Sequence, residues 1–221
     1  MIIVIDGPAG SGKSSTAKAL SKRLSLHFLD SGALYRSVTY FWIQKGKPDN
    51  DQFFKMLTDI DLEADLTDGN FDVILNGENI SDKIRDPKVA NHVSDVASLS
   101  KVRLFVNRIM REIVKNGTFI ADGRDLGTAV FPDADLKFYM DASEEERAER
   151  RFNELRAKNS NVTFEEVLEN VRRRDHTDQN RTADPLKKAD DALLVDTTGK
   201  SFEEQVDYMS AIIEDKLNLK H

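Results

Sequence analysis

The chain opens on Ile2-Ile3-Val4-Ile5, a β-branched apolar run that stops at Asp6-Gly7-Pro8 and predicts a buried parallel strand ending in a loop. From Lys13 the apolar positions Ala17, Leu20 and Leu24 recur at helical spacing, alternating with Lys18, Lys22 and Arg23, so an amphipathic helix follows the loop directly. The same rhythm returns further on. His27-Phe28-Leu29 precedes a helix from about Ala33 to Lys45, and Thr118–Ala121, Leu136–Met140 and Ala192–Val195 are further strand-like runs. Ser143 with Glu146, Thr163 with Glu166 and Ser201 with Glu204 have the spacing of capping boxes and mark helix starts among them. Short strands alternating with helices predict an α/β fold of three layers, with five parallel strands between helices.

One stretch breaks the rhythm. Between about Asp61 and Asp82 the turn signals Asp68-Gly69-Asn70 and Asn76-Gly77 flank the alternating Phe71-Asp72-Val73-Ile74-Leu75, which reads as a small antiparallel insertion. Asp86-Pro87 then opens a helix carrying Val89, Val93 and Val96, with a break near Ser98-Leu99-Ser100 before a second helix runs on to Gly117. The expected organisation is a core of residues 1–60 and 97–221 with an insertion at 61–96.

The loop after the first strand carries the clearest chemistry. Gly7-Pro8-Ala9-Gly10-Ser11-Gly12-Lys13-Ser14 fits G-x-x-x-x-G-K-[ST], and it lies between an apolar strand and an amphipathic helix, the context that phosphate-cradling loops require. Its glycines let the backbone curl so that several N–H groups point at one phosphate, and the helix dipole and the Lys13 ammonium add positive potential there. Ser14 would then hold magnesium. The bland alternative is a glycine-rich turn with no ligand. A regulatory GTPase needs a guanine-reading N/T-K-x-D tetrapeptide, which the sequence lacks, and a transport ATPase needs a further signature and more length. A small P-loop kinase remains.

Composition narrows the rest. A chain of 221 residues with 39% hydrophobic and 32% charged residues suits a globular enzyme with one core and a smaller insertion, not a disordered tail. Having no cysteine, it cannot use disulfides, thiol nucleophiles, iron–sulfur clusters or thiolate zinc. No apolar run near Met1 is long enough for a membrane span or a signal peptide, so a cytoplasmic protein with no membrane partner is expected. A net charge of -7 argues against a nucleic-acid polymer as partner, although phosphate ligands need only a local basic pocket.

Such a pocket has candidates at two strand ends, Asp30-Ser31-Gly32-Ala33-Leu34-Tyr35-Arg36 and Asp122-Gly123-Arg124-Asp125, because carboxyl ends of parallel strands converge on one crevice. Asp122 has the position of a carboxylate that assists magnesium directly or through water; for both Asp30 and Asp122 capping is the simpler alternative. Arg147, Arg150, Arg151, Arg156, Arg172, Arg173, Arg174 and Arg181 crowd one segment. Interleaved Glu144, Glu145, Glu146, Glu149 and Glu154 can pair with part of this set on a solvated face. The stretch Arg174–Arg181 has few apolar anchors, which suits a mobile lid whose cations meet phosphates on closure and exclude water. A phosphate monoester acceptor is already anionic and needs no general base. His27, His92, His176 and His221, scattered without metal-ligand spacing, read as ordinary.

Together Gly7 to Ser15, Leu29–Arg36, Ala121–Thr128 and Arg174-Asp175…Asp178…Arg181, in that order, resemble bacterial cytidylate kinases, and the resemblance spans nearly the whole chain. The insertion, including Ile84-Arg85 and Val89-Ala90-Asn91, resembles that family's enlarged monophosphate-binding domain. The resemblance implies ATP-dependent phosphorylation of CMP and dCMP with Mg2+ by a monomer, on a P-loop core with a helical lid at about 153–183. It implies that Lys13 and the amides of Gly7, Pro8, Ala9, Gly10, Ser11, Gly12, Ser14 and Ser15 hold the ATP phosphates. Ser14 would lie at magnesium, with Asp122 behind a water. Arg36, Arg124, Arg174 and Arg181 would surround the acceptor phosphate or the transferring group, and Arg150 would reach ATP from the lid. Ser94, Arg103 and Asp125 match cytosine-reading positions, with Ser31 nearby and Asp178 near the ribose. A carboxylate at Asp125 could accept from cytosine N4, and uracil would set an acceptor against it at a cost of about 1–3 kcal/mol. Some relatives carry extra arginines where Thr177 and Gln179 stand, which predicts a weaker lid contribution to ATP binding here. On the P-loop alone, a kinase for another nucleoside monophosphate or small metabolite remains open. A nucleotide-gated binding module also stands, and acceptor-dependent ADP release separates it from both kinases.

Overall fold

Along the first strand Ile3 and Ile5 point to one side and Val4 to the other, and none has access to water. A strand buried on both faces belongs in the middle of a sheet. In the computed structural model, which describes residues 1–157 and 161–218, β1 (Ile2–Asp6) is the central strand of five. The chain continues through α1 (Lys13–Arg23), β2 (His27–Asp30), α2 (Ser31–Gln44) and α3 (Asn50–Met56). A small sheet follows as β3 (Leu62–Asp65), β4 (Asp72–Leu75) and β5 (Glu78–Asn79), then α4 (Pro87–Ser98) and α5 (Ser100–Ile113). The core resumes with β6 (Phe119–Gly123), β7 (Leu136–Asp141), α6 (Glu144–Ala157), α7 (Phe164–Asn180), β8 (Leu193–Asp196) and α8 (Phe202–Asn218).

The large sheet has the order β2-β6-β1-β7-β8, with every neighbouring pair parallel. Ile3 and Ile5 pack with Ala17 and Leu20 of α1 and with Met209 and Ile213 of α8; Val4 packs on the other side with Leu34 of α2 and Val102 and Val106 of α5. Each such fully buried aliphatic side chain contributes about 1.5–3 kcal/mol. The chain moves from β1 to β2 on one side and from β6 to β7 on the other, so the crevice outside the strand ends lies at a switch point. Register brings three carboxylates level there, since Ile5 stands beside Asp122, which also stands beside Asp30, and Asp6 beside Gly123.

The small sheet turns at Asn76-Gly77, whose φ values of 50° and 80° make the tight turn that antiparallel strands prefer. Its apolar residues Leu62, Val73 and Leu75 join the cluster formed by α2 and α5, so the insertion shares the core's hydrophobic layer. The break after Ser98 is present, but α5 ends at Ile113, short of Gly117, in a loose last turn where Val114 N donates to Met110 O at 3.3 Å. The capping boxes at Thr163 and Ser201 close in both directions. At Ser143 only half forms: Glu146 N donates to Ser143 Oγ at 3.2 Å, while the Glu146 carboxylate is drawn to Arg150 and to Gly199 N at 3.1 Å. The stretch Arg174–Arg181 is helical nearly to its end, and its anchors are polar, the buried Asp175 and Asp178. Of the expected lid, residues 158–160 lie outside the described residues, as does His221.

Candidate active site

The phosphate loop is held where only glycine fits. Gly7 has φ 154°, and a Cβ there would stand 2.0 Å from the Met140 carbonyl oxygen; Gly10, at φ 77°, would meet the Arg147 carbonyl oxygen at 2.8 Å. From behind, the loop is gripped by two lid helices. Ala9 N donates to Asp175 at 3.3 Å, Ala9 O accepts from Arg147 Nη1 at 2.9 Å, and Arg147 and Asp175 pair with each other at 2.6 Å. In front, Lys13 Nζ donates to Pro8 O at 2.9 Å. Burial, with the positive field of Arg124, holds the Lys13 ammonium well below its usual range, so an anion in front of it would be bound strongly.

At the first turn of α1 the Ser14 hydroxyl donates to Asp122. The other Asp122 oxygen, Oδ1, is buried and without a partner among the described residues. Burial and the nearby Asp30 push the Asp122 carboxyl up to about 6. A hydroxyl and an under-satisfied carboxylate oxygen form an oxygen-only donor set, which fits a hard cation such as Mg2+. Asp30 takes both of its expected roles, since it caps α2 by accepting from Ala33 N at 2.7 Å and its carboxylate pairs with Arg36 at 3.2 Å.

One cleft of about 490 Å3 gathers the predicted side chains. Ser31, Arg36, Ser94, Arg103, Arg124, Asp125, Arg174, Asp178 and Arg181 line it together with Ala9, Gly10, Gly12, Lys13, Ser14, Ser15 and Arg150. Gly7, Pro8 and Ser11 lie behind that surface, with Pro8 facing a second cleft beside Tyr139. Ser31 Oγ donates to the Asp122 carbonyl at 2.6 Å. Arg150 is tied to Thr197, donating to its hydroxyl at 3.0 Å and its carbonyl at 2.8 Å, and to Glu146. On α7, residues 174, 178 and 181 share one face by helical spacing. Gln179 is off that face and lines the second cleft, and Thr177 is absent from the main cleft's lining, so the expected loss of positive potential around the donor phosphates has no counterpart in this geometry.

The arginines differ in what holds them. Arg124 Nε donates to Asp178 at 2.8 Å, Arg181 Nη2 to Asp125 at 2.7 Å, and Arg103 also reaches Asp125. Burial works to raise the Asp178 carboxyl, but the guanidiniums of Arg124, Arg181 and Arg174 hold it below its ordinary value. Arg36, Arg103, Arg124, Arg150 and Arg181 each have a carboxylate partner. Arg174 has none among the described residues. Its Nε is buried without a hydrogen-bond partner, and burial together with Arg124 pulls its pKa down to about 10.

Sequence reasoning left out several residues that set this geometry. Asp6 accepts from Leu126 N at 2.9 Å and Gly127 N at 2.7 Å, fixing the π-helical turn Leu126–Val130 that follows Asp125; burial pushes its carboxyl up to about 6. The Arg147–Asp175 pair and Asp184, which accepts from Arg103 Nε at 2.9 Å, were equally hidden. A carboxylate ending a strand was a visible hint for Asp6. Asp184 announced only a turn before Pro185.

The cytidylate kinase family model matches residues 3–215. Curated cytidylate kinases from Pseudothermotoga lettingae and Clostridioides difficile are 43% and 44% identical to the chain. The first match covers 96% of this chain and 93% of the relative, and the second 94% and 95%. In backbone the chain is similar to the crystal structure of an uncharacterized protein from Eubacterium ventriosum, with a TM-score of 0.54, 11% identity, and coverage of 97% and 98% of the two chains. At that identity the likeness concerns the fold alone.

Proposed function

The chain belongs to the cytidylate kinase family, and from that premise we propose how its side chains divide the transfer of a phosphoryl group from ATP to CMP or dCMP. The loop amides and Lys13 hold the donor phosphates, with Arg150 reaching them from α6. Ser14, with Asp122 behind a water, would hold Mg2+, which when bound neutralises charge on the ATP phosphates. Arg36, Arg124 and Arg181 take the acceptor phosphate. Asp125, Arg103 and Ser94 read the cytosine edge beside Ser31, and Asp178 lies toward the ribose. The acceptor oxygen is anionic at neutral pH, so no side chain need remove a proton. The same reading takes the enzyme as a cytoplasmic monomer acting on free nucleotides; among the described residues no helix is long and apolar enough to cross a membrane.

The observation that carries this division is the unpaired state of Arg174. Two anions must approach end to end, and charge spreads over the migrating oxygens as the donor bond breaks. Paired guanidiniums are already partly neutralised and serve to orient. A desolvated guanidinium with no carboxylate partner is free to respond to the charge that develops in transit, which assigns Arg174 to the transferring group. Arg174→Met is expected to lower kcat by about 10²–10³-fold, with smaller changes in the KM of either nucleotide. Steady-state kinetics with CMP and ATP test it, and a kcat within threefold of the parent would reject the assignment.

A further inference from the structure

Two arginines and two aspartates close a ring at one wall of the cleft. Asp125 accepts from Arg103 through one oxygen and from Arg181 Nη2 through the other, at 2.7 Å. The same two guanidiniums are joined again on their Nε edges by a single residue. Asp184 accepts from Arg103 Nε through its carboxylate at 2.9 Å, and from Arg181 Nε through its main-chain carbonyl at 2.8 Å. Asp184 itself does not line the cleft, and its side chain is 35% exposed. Its backbone is left-handed, at φ 47°, a conformation that Asp and Asn adopt more readily than other residues with a side chain. Leu186, buried two residues on, donates through its N–H to Asp178 O at 2.8 Å and keeps the segment against the end of α7.

A guanidinium is a flat fork, so fixing Nε and one terminal nitrogen fixes its plane. Arg103 is 1% exposed and has one further bond, from Nη1 to Ala97 O at 3.2 Å. Without the Asp184 carboxylate its Nε would be a buried donor lacking an acceptor, and the fork would rotate to find one. Asp125 would then lose the partner that orients its lone pairs. We infer that Asp184 is a positioning residue for base selection: its carboxylate sets the Arg103–Asp125 pair, and its carbonyl ties that pair to the phosphate-binding Arg181. The inference rests on the proposed reading of the cytosine edge by Asp125 and Arg103.

Three variants separate the possibilities, each assayed for kcat and KM with CMP, UMP and ATP. Asp184→Asn keeps the left-handed backbone and the carbonyl bond to Arg181 but removes the charge. Asp184→Gly keeps the backbone and removes the side chain, and Asp125→Asn tests the underlying reading. The ratio of kcat/KM for CMP to that for UMP is expected to fall about tenfold in both Asp184 variants, the scale of one charged hydrogen bond. The fall comes from a KM for CMP that rises more than kcat drops, with the KM for ATP within twofold. If Asp125→Asn lowers the ratio and neither Asp184 variant does, the inference is wrong while the reading survives. If Asp125→Asn leaves the ratio unchanged, the reading fails and the inference with it. Equal increases in the KM values of CMP, UMP and ATP would assign Asp184 a general structural role and overturn the proposal.

Discussion

Replacing Asp175 by Ala removes one side of a buried ion pair and one anchor of the phosphate loop at the same time. Arg147 and Asp175 are 4% and 6% exposed, and the carboxylate accepts both from the guanidinium at 2.6 Å and from Ala9 N at 3.3 Å. Removing one partner of such a pair leaves an uncompensated buried charge and costs about 3–5 kcal/mol. For a chain of this length each kcal/mol lowers Tm by about 2–4 °C, so a drop of roughly 6–20 °C is expected. The two contributions can be pulled apart with Arg147→Met/Asp175→Leu, because apolar replacement of both partners is often neutral for stability. The double variant should regain most of the lost Tm. It lacks both grips on Ala9, however, so the KM for ATP should stay raised by about tenfold or more, given how steeply rate and binding depend on sub-ångström placement. Urea and thermal unfolding with ATP-dependent kinetics measure both. An Asp175→Ala protein within 1 kcal/mol of the parent, with an unchanged KM for ATP, would show that the loop is seated by its own backbone and not by the lid helices.

Gly7→Ala puts a Cβ 2.0 Å from the Met140 carbonyl oxygen at a positive φ, so the loop must move; ATP binding measured by calorimetry should be lost, and a variant with parental affinity would contradict the geometry. The Asp6 carboxyl, raised from 3.8 to about 6, binds its proton more tightly in the native chain than in the unfolded one. Its contribution is therefore fully present below 3.8 and lost as pH rises through about 6. Against Asp6→Asn, the parent should gain about 1 kcal/mol of unfolding free energy on going from pH 7 to pH 5, and a difference independent of pH would refute this. Gln179→Arg should leave the KM for ATP within twofold, because that position lines the cleft beside Pro8 and not the one that holds Arg174; a clear fall in KM would restore the view that lid charge at this position matters.

Features set within a turn or two of chain could be read directly. The phosphate loop needs only a strand end, three positive-φ glycines and a helix start, all between Ile2 and Ser14, and each of those is a property of neighbouring residues. The boxes at Thr163 and Ser201 and the turn at Asn76-Gly77 are local in the same sense. The box at Ser143 had the same signature and did not close, because packing set Arg150 and Gly199 beside Glu146. Charge pairing is where local reasoning ends. An arginine in a segment dense with carboxylates has many partners of similar energy, and the choice falls to whichever elements the core brings together. Arg103 meets Asp184 across 81 positions and Arg147 meets Asp175 across 28, and the absence of a carboxylate partner for Arg174 follows from Asp175 and Asp178 being taken by Arg147 and by Arg124 and Arg181. Residue types and spacing were enough to place a cation-rich pocket at the strand ends. Which cation stands ready and which is held depends on the docking of α5, α6 and α7 around that pocket, since burial strengthens some pairs and denies others a partner.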